Sequence, residues 1–300
     1  FTPMAKDVTR YQWGQEVAPG ITAVNAAGLT PIQPWLDEVN GLSSKAGYPA
    51  LAAKAGRYGI GSSFGFYVGQ DDKIPTQYIF TIYQGGTGLP DRDMYLLDNP
   101  KMAAIRTAYL GYLAKMLTLA GEANAAVRAK AIYDFEKQIA TVHWDKNDSS
   151  DATKVYNKMT IAELAAEAPG FDWATFIRGL GVNEDSLLVS QPSAFTGEAK
   201  LIADAPIAVI RDQLIVRSLD SFAGVLPDAE VDVTQTLLPL LSGVVAPTLF
   251  LWGLMRLPRS GEARRRVTAP TGRHDHAAAH RRGGRLRDRA RVRGKVSATD

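Results

Sequence analysis

Three hundred residues, 46% of them hydrophobic, are enough to bury a sizeable core in one or two domains, and the absence of cysteine excludes a disulfide scaffold and thiol chemistry. The net charge of +3 conceals an asymmetry: residues Arg256–Asp300 hold thirteen Arg and one Lys against Glu262, Asp275, Asp288 and Asp300, a surplus of +10, which leaves −7 for the first 255 residues. The body is mildly acidic and the tail strongly basic, so a single overall charge describes neither part.

Residues 1–25 show weak periodicity and form an unassigned lead-in. Thr30-Pro31-Ile32-Gln33 reads as a helix start, with Thr30 as N-cap, Pro31 in the first turn and Gln33 closing a capping box; the helix is expected to run to about Leu42. A second short helix is predicted from Pro49 to Arg57. Phe64, Phe66 and Val68 then alternate with smaller residues, as do Tyr78, Phe80 and Ile82, and the turn-rich segment between them predicts a β-hairpin near residues 64–83 whose aromatic face is core.

Gln84–Leu96, QGGTGLPDRDMYL, is an ordered connector from strand to helix. Its glycines allow positive φ or close backbone approach, Pro90 fixes φ, and Asp91-Arg92-Asp93 can pair locally or cap free backbone groups. No Lys-Ser/Thr follows and the G-x-G-x-x-G spacing is absent, so a structural turn is favoured over a phosphate loop.

Asn99-Pro100 marks another N-cap with a first-turn proline. Ile105, Tyr109, Leu113, Met116, Leu117 and Ala120 recur at helical spacing up to Gly121; Val127, Ala131, Phe135, Ile139 and Val142 repeat it up to about Trp144. The two helices are expected to pack antiparallel, with Leu113 and Phe135 inside. His143, alone at the second helix's end, reads as a surface or cap residue rather than a catalytic one. Thr160–Glu163 is a capping box, Asp172 caps a helix carrying Trp173, Phe176, Ile177 and Leu180, Leu187–Ser190 is a short extended piece, and Pro206 opens a helix with Ile210, Leu214, Ser218 and Phe222 on one stripe. The fold class is therefore mainly α with one β-hairpin, and nothing alternates as a doubly wound sheet.

QGGTGLPDRDMYL resembles the Q-x-G-L-G-L-P-D-R-D-Y-Y-L segment of neprilysin-type zinc metallopeptidases, a family that includes the endothelin-converting enzymes and bacterial oligopeptidases; Thr87 replaces the usual Leu and Met94 the usual aromatic. DATKVYNKMT and FDWATFI resemble its R-D-x-x-K-x-Y-N-x-M-T and F-x-W-x-x-F-L segments, and Ser150 stands where the family has the Arg of an Arg-Asp pair. The likeness covers residues 26–229 in order. It implies a helical cover lobe that restricts peptide access to a thermolysin-like catalytic domain, oligopeptide substrates and zinc in the full-length family, and it favours an extracytoplasmic location over a cytoplasmic one.

A zinc peptidase needs two histidines one helical turn apart, a third ligand and a glutamate to activate water. The family's H-E-x-x-H, E-x-x-x-D and N-A-x-Y motifs are not found in this chain, so no catalytic, cofactor-binding or metal-binding residue is assigned. The catalytic half is read as missing, and the chain alone is expected to hold no zinc and to be inactive. His274, His276 and His280 form H-x-H-x3-H in a Gly- and Arg-rich context that offers no apolar frame for a metal. Val233–Met255 is uncharged and flanked by arginines, the length of a membrane span, but Pro239, Pro247, Gly243 and Gly253 speak against one; a membrane-anchored helical binding module is the alternative reading. The basic tail lacks aromatics for base stacking, so no specific nucleic-acid partner is assigned. Residues 230–300 are best accounted for as an aberrant, disordered basic tail, of the composition that out-of-frame translation of a GC-rich gene produces.

Overall fold

The computed structural model describes residues 18–223 and Leu226. The basic tail, the uncharged stretch Val233–Met255 and the three tail histidines lie outside the described residues. Among the described residues no helix is long and apolar enough to cross a membrane.

The body is mainly helical. Helix α1 (Ala18–Ala27) starts inside the lead-in that the sequence left unassigned. The capping box expected at Thr30 does not form: Thr30–Ile32 is a 3-10 turn, and α2 begins only at Gln33 and ends at Asn40. Pro34 is the reason. It lacks the N–H that an α-helix would send to the Thr30 carbonyl, which is met instead by the Gln33 N–H, while the Gln33 side chain bonds forward to Asp37 at 2.7 Å. Helix α3 (Tyr48–Arg57) follows a second 3-10 turn, Lys45–Gly47.

Strands β1 (Phe64–Gln70) and β2 (Tyr78–Gln84) form the expected antiparallel hairpin, with Phe64 opposite Gln84 and Gln70 opposite Tyr78. The sheet is larger than the hairpin. After the short helix α4 (Asp93–Leu96) come the long helices α5 (Pro100–Leu119) and α6 (Ala125–Val142), and then α7 (Lys146–Ser149). Strand β3 (Lys158–Thr160), helices α8 (Ile161–Glu167) and α9 (Trp173–Gly179), strand β4 (Ser186–Val189), and helices α10 (Pro192–Asp204) and α11 (Ile207–Phe222) complete the described chain. The four strands lie in the order β1-β2-β4-β3, with β4 parallel to β2 and antiparallel to β3. β2 is thus a central strand, and Ile79, Phe80, Thr81 and Ile82 are all buried where simple alternation predicted one buried face.

Phe64 joins Phe171, Trp173, Phe176 and Phe195 in one aromatic cluster, with ring centroids 4.7–5.9 Å from its own, which ties β1 to α9 and α10. Helices α5 and α6 pack together with Leu113 and Phe135 buried. The buried stripe of α6 is Ala129, Ile132, Tyr133, Phe135, Glu136, Ile139 and Ala140, and Val127, expected inside, is 72% exposed. At 100° per residue the true stripe is turned by roughly 100° from the one read off the aliphatic residues, because a charged residue, Glu136, belongs to it.

Three caps hold as read. Asn99 accepts from the Met102 N–H at 3.0 Å, Asp172 from Thr175, and Thr160 and Glu163 form a reciprocal capping box. Asn99→Ala is expected to cost about 1 kcal/mol of stability, since it frees one first-turn donor of a twenty-residue helix. A urea unfolding midpoint unchanged from the parent would show that the cap contributes nothing.

Candidate functional site

The connector after β2 is held by contacts from several parts of the fold. The Gln84 side chain makes a two-way clasp with the backbone of Trp144: its Oε1 accepts from Trp144 N–H at 2.8 Å and its Nε2 donates to Trp144 C=O at 3.1 Å. The Gln84 N–H donates to Gln191 Oε1 at 3.0 Å, and Gln213 Nε2 donates to Gly86 C=O at 2.8 Å. Gly86 takes φ +78°, the left-handed region that favours glycine, and a Cβ on Gly88 would lie 1.8 Å from the Tyr109 hydroxyl oxygen. Both of the uses foreseen for these glycines are therefore realised. The Gly88 and Leu89 N–H groups donate to Tyr95 Oη at 3.0 and 2.8 Å.

Tyr95 leads into a buried polar network centred on Glu136, which is 0% exposed. Its Oε2 accepts from Tyr95 Oη at 2.8 Å and Tyr109 Oη at 2.7 Å; its Oε1 accepts from Arg217 Nη2 at 2.9 Å and Gln213 Nε2 at 3.1 Å. Burial, then the charge of Glu136, pushes both tyrosine hydroxyls well above their ordinary range, so they remain protonated donors. A carboxylate with four donors already on it has little left to offer a substrate proton. The network is a brace that fixes the connector against α5, α6 and α11.

A second buried pair lies beside it. His143, read from the sequence as a surface or cap residue, is only 7% exposed, and its Nε2 lies 2.7 Å from Glu198 Oε1. Close packing brings them together: a Cβ on Gly197 would fall 2.7 Å from Val142 Cβ, so α10 approaches α6 where only a glycine fits. The contact is not aligned as a hydrogen bond, and neither Glu198 oxygen has one among the described residues. Burial, the largest influence, pushes the Glu198 carboxyl up to about 7 against the opposing pull of the His143 ring and the Gly85 amide.

His143 and Gln84 form one side of a cleft of about 330 Å³ whose remaining wall includes Arg92, Met94, Trp144, Lys146 and Ser149. Arg92 does not pair with its neighbours Asp91 and Asp93; Asp91 Oδ1 accepts from the Asp93 N–H at 2.9 Å instead. Arg92 Nε and Ser149 Oγ are buried polar atoms with no hydrogen-bond partner among the described residues. Near the position of the absent family Arg-Asp pair, Asp151 accepts from the Thr153 N–H and hydroxyl, and Lys154 pairs with Asp148.

The described residues do not fit a catalytic zinc. Among the described residues no group of three His, Cys, Asp or Glu side chains could hold a metal ion, and His143 and Glu198 face each other rather than a shared ion. The sequence reading missed Glu136, Glu198, Arg217 and Gln213. A charge at a position otherwise belonging to an apolar helix stripe was the available signal: Glu136 beside Phe135 and Ile139, Arg217 beside Leu214 and Ser218.

Comparison with known proteins agrees with the described fold. A family model described as Peptidase family M13 matches residues 20–247, running past 229 into the uncharged stretch. An endothelin-converting enzyme homolog of Locusta migratoria is 33% identical over 129 residues, 42% of this chain and 18% of that protein. Endothelin-converting enzyme-like 1 of Homo sapiens is 25% identical over 188 residues, 60% of this chain and 24% of that protein. The open state of the Mycobacterium tuberculosis zinc metalloprotease Zmp1 superposes with a TM-score of 0.70 at 29% identity, covering 75% of this chain and 36% of that one. The matched region thus spans well under half the length of these relatives.

Proposed function

The chain belongs to peptidase family M13, and from that premise we propose that it is the amino-terminal helical portion of a zinc metalloendopeptidase that hydrolyses oligopeptides outside the cytoplasm. The observation that carries this reading is a family match over residues 20–247 in a sequence that holds no H-E-x-x-H. Hydrolysis by zinc-activated water needs three protein ligands, an open water position and a general base. The described donors do not supply them, so in this reading the zinc centre belongs to a part of the protein beyond this chain. The helical body then acts as a lobe that limits which peptides reach that centre. A braced connector suits such a role, because a wall that screens substrates by size has to keep its shape.

The deciding experiment reads the gene in all three frames beyond codon 229. An H-E-x-x-H followed by E-x-x-x-D is the expected finding, and its absence from every frame would overturn the proposal. The purified chain, given zinc and a quenched fluorescent oligopeptide, is expected to show no hydrolysis. Chelator-sensitive turnover that disappears in His274→Ala, His276→Ala or His280→Ala would place a working zinc site in this chain and overturn it as well.

A further inference from the structure

The cleft beside the connector contains a cation without a counterion. Arg92 is only partly exposed, its Nε is shut off from solvent, and no acceptor among the described residues meets its guanidinium. Lys146, across the same cleft, likewise has no ion-pair partner among the described residues, and Ser149 presents a buried hydroxyl with no partner. Leaving a buried donor and a partly desolvated cation unmatched is unfavourable in the free protein. An arrangement of this kind is stable when something outside the chain completes it.

The geometry points to a carboxylate carried on a peptide as the group this cleft binds; we propose that Arg92 forms the charged contact, Lys146 adds attraction, and Ser149 donates a hydrogen bond. Charge selects the ligand class. Arg92 and Lys146 are opposed by one lining carboxylate, Asp91, so the cleft carries a net charge close to +1 and matches a monoanion better than a phosphate dianion. Pro90, Met94 and Trp144 add apolar wall beside the polar Gln84, Thr87 and His143, and suit the carbon chain that bears the carboxylate. A planar guanidinium also matches a carboxylate geometrically, through paired N–H donors. The inference does not depend on where the zinc centre lies, since it concerns binding by this chain alone.

Calorimetric titration of the full chain with acetylated pentaalanine tests it in four forms: a free C-terminal carboxylate, a C-terminal amide, an amide carrying one internal Glu, and inorganic phosphate in place of peptide. Either carboxylate peptide is expected to bind about tenfold or more tightly than the amide, with affinity falling as salt is raised. Which of the two binds better tells a chain terminus from an acidic side chain. Arg92→Met is expected to remove that preference while leaving the melting temperature unchanged or raised, because it takes away an unpaired cation. Lys146→Gln, on the exposed rim, is expected to weaken binding about threefold without altering the fold. Equal binding of carboxylate and amide, tighter binding of phosphate, unchanged binding by both variants, or a lowered melting temperature in Arg92→Met would each overturn the proposal.

Discussion

Glu136→Ala is expected to destabilise the body by about 3–5 kcal/mol, the usual result of removing one member of a buried, hydrogen-bonded ion pair. The magnitude comes from what is left behind. Arg217 keeps its charge in a largely buried position, and the Tyr95 and Tyr109 hydroxyls lose the acceptor that each reaches at 2.8 and 2.7 Å. Gln213 retains only the Gly86 carbonyl. The connector should loosen too, because Tyr95 would no longer be oriented to receive the Gly88 and Leu89 N–H groups. Replacing both charges, as Glu136→Leu with Arg217→Met, should recover the part of the loss that comes from the unmatched Arg217 charge but not the part that comes from the Tyr95 and Tyr109 hydroxyls, which stay without their acceptor. Denaturant unfolding with the slope checked against the parent measures both effects. A loss below about 1 kcal/mol for the single variant, within the ordinary range for any substitution, would show that the network does not brace the connector.

What the sequence made legible was local. Asn99, Thr160 and Asp172 could be read as caps because a cap's partner lies two or three residues away, and the β1–β2 hairpin because its strands are separated by one short turn. Helix α10 escaped notice for the converse reason. Its N-cap, Gln191, makes no capping bond, Gly197 interrupts its propensity, and Glu198 interrupts its apolar face. The sheet was read as a hairpin because β3 has three residues and pairs with a strand twenty-six or more positions on, as in Thr160 with Ser186; no periodicity of length three announces itself. The family was legible from an unusual run of residues, QGGTGLPDRDMYL, whose physical content is now clear. Each of Gln84, Gly86, Gly88 and Tyr95 is held by, or holds, a partner elsewhere in the chain.

The candidate cleft was not legible at all. Arg92 and Lys146 lie over fifty residues apart, and the Gln84–Trp144 clasp and the Tyr95–Glu136 bond bring their segments together. Read alone, Asp91-Arg92-Asp93 looks self-neutralising. In the fold, Asp91 turns to its own backbone and leaves the arginine unmatched. His143 was misjudged on the same ground: a lone histidine at a helix end is ordinarily solvated, and nothing nearby in sequence foretells that α10 will bury it against Glu198.

That buried pair carries the second large effect, a loss of stability as pH rises from about 4.5 to about 7. The Glu198 carboxyl titrates near 4.5 in the unfolded chain and is pushed up to about 7 in the fold by burial. Between those values the folded protein holds a proton that the unfolded chain has released, so raising the pH favours unfolding. The contribution is fully present below the unfolded value and is lost as pH passes through the folded one. Its slope approaches about 1.4 kcal/mol per pH unit at the steepest, or roughly 3 kcal/mol over the whole window. Glu198→Gln cannot ionise, and its stability relative to the parent is expected to rise across this window by that order. Unfolding both proteins in urea at pH 5 and pH 8 isolates the effect, because carboxyls whose values lie below the window, such as Asp151 and Asp172, contribute equally to each. Parallel curves would sink the prediction. They would mean that the folded protein binds no more protons than the unfolded chain across this window, so that burial does not hold the Glu198 carboxyl protonated.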